Sequence, residues 1–135
     1  MIHIEAQGEE SYKYHLPRRS LYYAYRLIAG QQNHSLGFQN ESYNEILDVR
    51  SLWICLRHAK KKDNCWLEYT TVEKLRKGNF RFDPAIYGIS KIHLLYPGIQ
   101  SKEEKSEDEI LKDPKDVMEL LSLLFYRIEN SNKFY

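Results

Sequence analysis

Cysteine is scarce in this sequence, which has only Cys55 and Cys65 among its 135 residues. Two cysteines supply neither a disulfide framework nor a cysteine-rich zinc site. Cys55 lies in an apolar run, where a buried and reduced thiol is expected. Long apolar runs are also lacking, since none approaches the roughly 18 residues of a membrane-spanning helix, and no charged-then-apolar leader opens the chain. We therefore expect a cytoplasmic protein with no membrane partner.

The overall composition is that of one soluble globular domain. Apolar residues make up 42% of the chain and charged residues 29%, which is enough apolar chain to build a core. The net charge of +1 gives no indication of partners, so only the distribution of charge can indicate them. Tyrosine is unusually frequent, at 11 residues.

The opening residues MIHIEAQ predict a β-strand, because apolar and polar side chains alternate along them. His3, Glu5 and Gln7 share the polar face. A carboxylate and an amide two residues apart on one strand face are suited to binding a metal ion and a water molecule. The site is incomplete, because a divalent cation requires more than one protein carboxylate.

The next segments predict an α/β fold. Residues 17–32 predict a helix that opens at Pro17 and carries an apolar stripe at spacings of three and four, formed by Leu21, Ala24, Tyr25 and Ile28. Apolar, aromatic and β-branched runs predict three further strands, over residues 49–56, 65–72 and 89–96. The strand–helix–strand order implies parallel strands joined by a crossover helix.

The end of the chain has a different character. Residues 101–113 (SKEEKSEDEILKD) are dense in charge and predict a solvated linker. Asp113 and Pro114 then open a predicted amphipathic helix over residues 114–135, because an acidic cap and a first-turn proline favour a helix start. We expect this helix to pack on the sheet or on a partner.

One region of the chain is basic and aromatic. Residues 11–40 contain no Asp or Glu, and their basic residues alternate with tyrosines. Arg19, Tyr22, Tyr23 and Arg26 share a helix face by their spacing. Basic side chains offset phosphate charge and tyrosine hydroxyls bond phosphate oxygens, so this face predicts contact with DNA. A solvated surface with core-facing tyrosines is the alternative, and it is the favoured interpretation of a second basic cluster, residues 57–62 (RHAKKK).

Taken in order, these pieces resemble the PD-(D/E)XK nuclease family transposases, close to the recombination-promoting nucleases of mobile elements. The resemblance covers about residues 2–96 and is carried by the order and spacing of four pieces. They are an I-x-x-E-x-Q strand at residues 2–7 (IHIEAQ), a helix with RRSLYY at 18–23 and AGQQ at 29–32, a tyrosine-led strand at 43–55 (YNEILDVRSLWIC), and a strand at 64–69 (NCWLEY).

The resemblance implies a partial restriction-endonuclease-like core over residues 1–100, with a mixed sheet and a crossover helix. It also implies Mg²⁺-dependent attack of water on a DNA phosphodiester. Glu5 would be the catalytic metal ligand. Gln7 would replace the lysine that gives the superfamily its name and would orient the water, although an amide carries no positive charge. Arg18 or Arg19, with Tyr23 and Arg26, would hold the DNA backbone.

The chain departs from the family pattern at its start. Family members carry a second metal-binding aspartate on a strand that precedes the E-x-Q strand, and the sequence opens on the E-x-Q strand itself. We therefore expect a truncated copy whose activity as an enzyme is left open. Its unpaired sheet edge would favour pairing with a second copy or with an N-terminal segment. The two hypotheses are a metal-dependent DNA endonuclease and a catalytically inactive remnant that binds nucleic acid or a protein.

Overall fold

The structure is a computed structural model, and it describes residues 1–9 and 13–98 together with Leu121. The predicted linker over 101–113 lies outside the described residues. So does the predicted helix over 114–135, apart from Leu121.

The fold is α/β, as predicted. Its strands are β1 (Ile2–Glu9), β2 (Val49–Arg57), β3 (Cys65–Thr70) and β4 (Ser90–Tyr96), and its helices are α1 (Leu16–Ala29) and the short α2 (Pro84–Tyr87). Two 3₁₀ turns cover Tyr43–Glu45 and Lys60–Lys62. The strands form a four-stranded mixed sheet in the order β1-β2-β4-β3. The described residues divide into two compact units. One is formed by residues 1–5, 13–53 and 68–93, and the other by residues 6–9, 54–67 and 94–98.

β1 and β2 run parallel at the start of the first unit. The Met1 nitrogen donates to the Asp48 carbonyl at 2.7 Å, and the Arg50 N–H donates to the Met1 carbonyl at 2.9 Å. Met1 thus bonds the two residues on either side of Val49, Asp48 and Arg50, and this pattern is typical of parallel strands. This agrees with the predicted crossover connection, in which α1 joins the two strands.

The polar face of β1 is the covered one. His3, Glu5 and Gln7 are half-buried, whereas Ile2 and Ile4 are 75% and 63% exposed. The predicted alternation is therefore present. It runs opposite to the usual rule that the apolar side of a strand faces the protein interior.

Helix α1 differs from its prediction in extent and in its buried face. It ends at Ala29 rather than at residue 32, and the Gly30 N–H donates to the Arg26 carbonyl at 2.8 Å. Its fully buried side chains are Leu16, Ser20 and Ala24, whereas Tyr25, placed in the predicted stripe, is 57% exposed. Ser20 can be buried because its hydroxyl donates to the Pro17 carbonyl at 2.9 Å.

The segment between α1 and β2 is closed by one buried amide. The Gln31 side chain donates to the Leu47 carbonyl at 3.0 Å and accepts from the Leu47 N–H at 2.8 Å. Gln31 is 3% exposed and Leu47 is 48% exposed, so both bonds are shielded from water on the glutamine side. The amide takes the place of a neighbouring strand residue and fixes where the chain enters β2.

The core of the first unit lies around β2 and β4. Val49, Trp53 and Ile92 are each at most 1% exposed. In the second unit the fully buried side chains include Cys55, Leu94, Leu95 and Pro97. The Cys55 thiol is reduced and buried, as its apolar surroundings predict, and it donates to the Arg57 carbonyl at 3.5 Å.

A buried histidine organises the turn in the second unit. The His58 ring nitrogens lie 3.0 Å from the Ala59 carbonyl and 2.8 Å from the Pro97 carbonyl. The His58 ring also packs edge-on against the Tyr96 ring, with the two ring centres 5.3 Å apart. The basic cluster at 57–62 therefore contains a structural histidine, and its lysines lie in the short 3₁₀ turn.

Candidate functional site

The candidate site of the first unit centres on the carboxylate of Glu5. One carboxylate oxygen lies 3.6 Å from Arg19 Nη2, and the other lies 3.6 Å from His3 Nε2. β1 places His3 and Glu5 on the same face, and the first turns of α1 carry Arg19 above that face. The carboxylate is 38% exposed, so these ion pairs position the groups more than they stabilise the fold.

Arg19 lies among three aromatic rings. Its guanidinium carbon is 5.4 Å from the ring centre of Tyr14, 5.5 Å from that of Tyr23 and 5.4 Å from that of Trp53. Its Nη1 also donates to the Tyr14 hydroxyl at 2.6 Å. A planar guanidinium suits this environment because it stacks on rings while its N–H groups remain free to donate in the ring plane.

The surroundings of Arg19 also act on its pKa. Desolvation by burial lowers the pKa, but the hydrogen bonds and charges of Tyr14 and Tyr23 outweigh it, so the Arg19 pKa is raised above its ordinary value. The side chain is therefore positively charged throughout the physiological pH range. It is a fixed cation beside Glu5.

Two buried nitrogen atoms lie beside this cluster without a hydrogen-bond partner among the described residues. They are His3 Nδ1 and Trp53 Nε1. The His3 and Trp53 rings are 5.5 Å apart, and the Tyr23 ring is 5.9 Å from Trp53. A buried polar atom without a partner is costly, and such atoms are common where a protein binds a ligand or water.

The outer surface of α1 carries the remaining predicted DNA-binding side chains. Arg18 and Arg26 are exposed, and Tyr22 and Tyr23 are 57% and 37% exposed. The Arg26 guanidinium carbon lies 5.8 Å from the ring centre of Tyr22. Sequence spacing predicted that Arg19, Tyr22, Tyr23 and Arg26 share a helix face, and it left open which arginine points inward. The structure places Arg19 inward, beside Glu5, and leaves Arg18 and Arg26 exposed.

Gln7, the second predicted catalytic residue, belongs to the other unit. It is half-buried and lies on the same face of β1 as Glu5. In that unit Arg57 and Glu9 form an exposed ion pair at 3.3 Å.

The described residues do not form a Mg²⁺ site by themselves. Glu5 is the one carboxylate of the cluster, and both of its oxygens already face a cationic or N–H-bearing side chain. Across residues 1–9 and 13–98 there is no group of three or more His, Cys, Asp or Glu side chains that could hold a metal ion. Magnesium prefers near-octahedral oxygen coordination, of which Glu5 would supply one carboxylate, and the other ligands would have to be water, phosphate or a carboxylate from outside the described residues.

Sequence reasoning found the members of the cluster but not how they fit together. Tyr14 is one of the tyrosines of the basic region and Trp53 is a buried residue of the predicted strand at 49–56, and both also enclose Arg19. The available signals were the i, i+2 spacing of His3 and Glu5 and the i, i+4 spacing of Arg19 and Tyr23. Neither spacing identifies the strand against which the helix packs.

Comparisons with known proteins give no match to a family model, to a curated protein or to a solved structure. No helix in the described part of the chain is long and apolar enough to span a membrane.

Proposed function

We propose that this chain acts on DNA: that it binds the phosphate backbone through the outer surface of α1, and that Glu5 contributes one carboxylate to a metal-dependent phosphodiester hydrolysis of the PD-(D/E)XK transposase type. The observation that carries the proposal is the placement of Glu5 beneath a helix whose exposed side chains are cationic and aromatic. Binding and hydrolysis are separable parts of this proposal, and each has its own test.

Binding is supported by the charge and exposure of α1. The helix has no acidic residue in its first turn, and a basic residue lies in its last turn. Exposed arginines neutralise phosphates and release counterions, and exposed tyrosines add hydroxyl donors without a charge penalty. Arg19 is already held by Glu5 and three rings, so Arg18 and Arg26 are the side chains that would contact phosphate directly.

We expect the double variant Arg18→Ala/Arg26→Ala to bind duplex DNA more weakly and with a shallower salt dependence. Each phosphate contact contributes a slope of about 0.9 in log K against log salt, so the loss of two contacts lowers the slope by about 2. Fluorescence anisotropy of a labelled duplex across a salt series measures both effects. The matched control is Arg76→Ala/Lys77→Ala, which removes the same charge from exposed residues outside any helix or strand. An equal loss in both double variants would mean that net charge, not α1, determines binding.

Hydrolysis depends on a second carboxylate from outside the described residues, because Glu5 alone does not complete a metal site. Glu5→Gln removes the charge while it keeps the shape of the side chain. We expect this variant to abolish any nicking of supercoiled plasmid seen with Mg²⁺ or Mn²⁺, and to leave DNA binding as strong as in the wild type or stronger.

Glu9→Gln is the control for hydrolysis, since Glu9 lies on the same strand but is exposed and paired with Arg57. Nicking that is lost with EDTA and with Glu5→Gln, and retained with Glu9→Gln, would support the hydrolytic part. If wild-type protein binds DNA through α1 but never nicks it, the second hypothesis of a binding module without catalysis applies. That hypothesis is favoured by the engagement of both Glu5 oxygens.

A further inference from the structure

The open edge of β1 has a surface that can pair with itself. β1 is an edge strand of the sheet that the described residues form. The strand contains no lysine, arginine or proline, the residues that commonly protect a sheet edge from pairing. Its outer face exposes Ile2 and Ile4, at 75% and 63%, where an apolar side chain is ordinarily covered.

The backbone of β1 determines which residues are available at this edge. Both polar groups of Met1 point toward β2, since its nitrogen bonds Asp48 and its carbonyl bonds Arg50. Backbone groups alternate in direction along a strand, so His3 and Glu5 also point their N–H and C=O toward β2. The N–H and C=O of Ile2, Ile4 and Ala6 therefore point outward.

Only a few registers let two copies of such an edge pair in antiparallel fashion. Outward-pointing residues must face outward-pointing residues, so an even-numbered residue of one copy must lie opposite an even-numbered residue of the other. If Ile4 lies opposite Ala6, Glu5 faces Glu5 of the partner subunit and the like charges repel. If Ile4 lies opposite Ile2, His3 faces His3 of the partner subunit, and fewer residues pair.

Registers centred on Ala6 or further along the strand set Ile4 opposite Gly8 or beyond, and they leave the exposed Ile2 outside the pairing. The register that remains places Ile4 opposite Ile4 of the partner subunit. It sets Ile2 opposite the partner subunit's Ala6 and His3 opposite the partner subunit's Glu5. The two-fold axis at Ile4 repeats each of these pairs, so each occurs two times in the dimer. Imidazole and carboxylate are complementary in either charge state of the histidine, because a neutral ring still offers one N–H donor. The exposed isoleucines then meet on one face while the complementary polar pairs meet on the other.

We propose that the chain forms a two-fold symmetric dimer through antiparallel pairing of β1 with β1 of a second copy, in register about Ile4. The dimer joins two four-stranded sheets into one and covers the exposed Ile4 side chains. It also brings His3 and Glu5 of the partner subunit beside the His3–Glu5–Arg19 cluster, so the partner contributes residues to that site. The argument rests on edge geometry and charge, and it does not depend on DNA binding.

Cysteine cross-linking tests the register directly. In this register the two Cα atoms of residue 4 are about 5.5 Å apart, a separation that a disulfide spans. We expect Ile4→Cys to give a covalent dimer on mild oxidation, seen on a non-reducing gel. Ile2→Cys introduces an equally exposed thiol on the same strand, but its symmetry mate is four residues out of register. We expect Ile2→Cys to give no more cross-linked dimer than the wild type, which reports any contribution from Cys65.

Light scattering tests association itself. We expect the wild type to have twice the monomer mass. Ile4→Pro, which removes an outward N–H without touching the bonds to β2, should shift the protein to the monomer mass. Ile4→Lys keeps the N–H but places two ammonium groups opposite each other in the dimer, so it should also shift the protein to the monomer mass. This variant replaces Ile4→Pro as the test if circular dichroism shows that the proline variant is unfolded. A wild type that is monomeric at all concentrations overturns the proposal. A dimer in which Ile4→Cys fails to cross-link, or in which Ile2→Cys cross-links equally well, also overturns it.

Discussion

Replacing Trp53 by alanine is expected to lower the free energy of unfolding by about 3–5 kcal/mol, the usual range for the loss of a large buried aromatic side chain. Trp53 is 1% exposed and lies in the middle of β2, an interior strand of the sheet. Its ring contacts His3, Tyr23 and Arg19, so its removal opens a cavity. The substitution also removes one of the three aromatic rings that surround the Arg19 guanidinium. Urea unfolding followed by far-ultraviolet circular dichroism measures the change in midpoint.

Trp66→Ala is the matched control for this prediction. Trp66 lies on β3 and is 53% exposed, so the same substitution removes far less buried surface. We expect its cost to be less than about 1.5 kcal/mol. Equal losses for the two tryptophans would contradict the assignment of Trp53 as the centre of the core.

Gly37→Ala is expected to cost about 3 kcal/mol or more, because a methyl group at this position has no space. A Cβ atom at Gly37 would lie 1.9 Å from the Gln31 carbonyl oxygen, so the backbone would have to move. That oxygen also accepts from the Phe38 N–H at 3.1 Å, and Phe38 is buried. Moving the loop away from Gln31 would therefore also break this bond and displace the buried Phe38.

The control for this second prediction is Gly8→Ala. Gly8 lies in β1, and a Cβ atom built there meets nothing within 4 Å. The alanine reduces the conformational entropy of the unfolded chain, so we expect stability to stay within about 1 kcal/mol of the wild type or to rise slightly. Thermal or urea unfolding of both variants measures the two changes in stability. A loss in Gly37→Ala alone would show that the cost comes from the contact with the Gln31 backbone and not from replacing glycine in general.

The strands could be predicted from the sequence because their signals are local. β1 shows strict alternation, β2 contains the unbroken apolar run at 52–56 (LWICL), and β4 ends just before Pro97-Gly98. Each pattern depends only on neighbours along the chain, and each predicted strand is present within a few residues. The short helix α2 was not predicted. It is four residues long, and its one local signal is Asp83, whose side chain accepts from the Ala85 N–H.

The face of α1 could not be predicted as well, because tyrosine and serine break the simple rule of apolar residues inside. Tyr25 counts as apolar by composition, but its hydroxyl favours the surface, whereas Ser20 is buried once its hydroxyl bonds the helix backbone. The resemblance implied only that Glu5 and either Arg18 or Arg19 serve the same site, and it did not predict their ion pair. Arg19, and not Arg18, lies beside Glu5 because of how the helix packs on the sheet, and sequence spacing does not predict this packing.

The amide of Gln31 has a consequence for how this fold tolerates insertions. Because the side chain bonds both backbone groups of Leu47, the entry into β2 is anchored to the end of α1 and not to the number of residues between them. Additional residues placed beyond Asn40 would enlarge an exposed loop whose two ends are already joined, and lengthening such a loop costs little entropy. Relatives of this chain can therefore differ in length here while β2 keeps its position, provided that they keep a glutamine at this point.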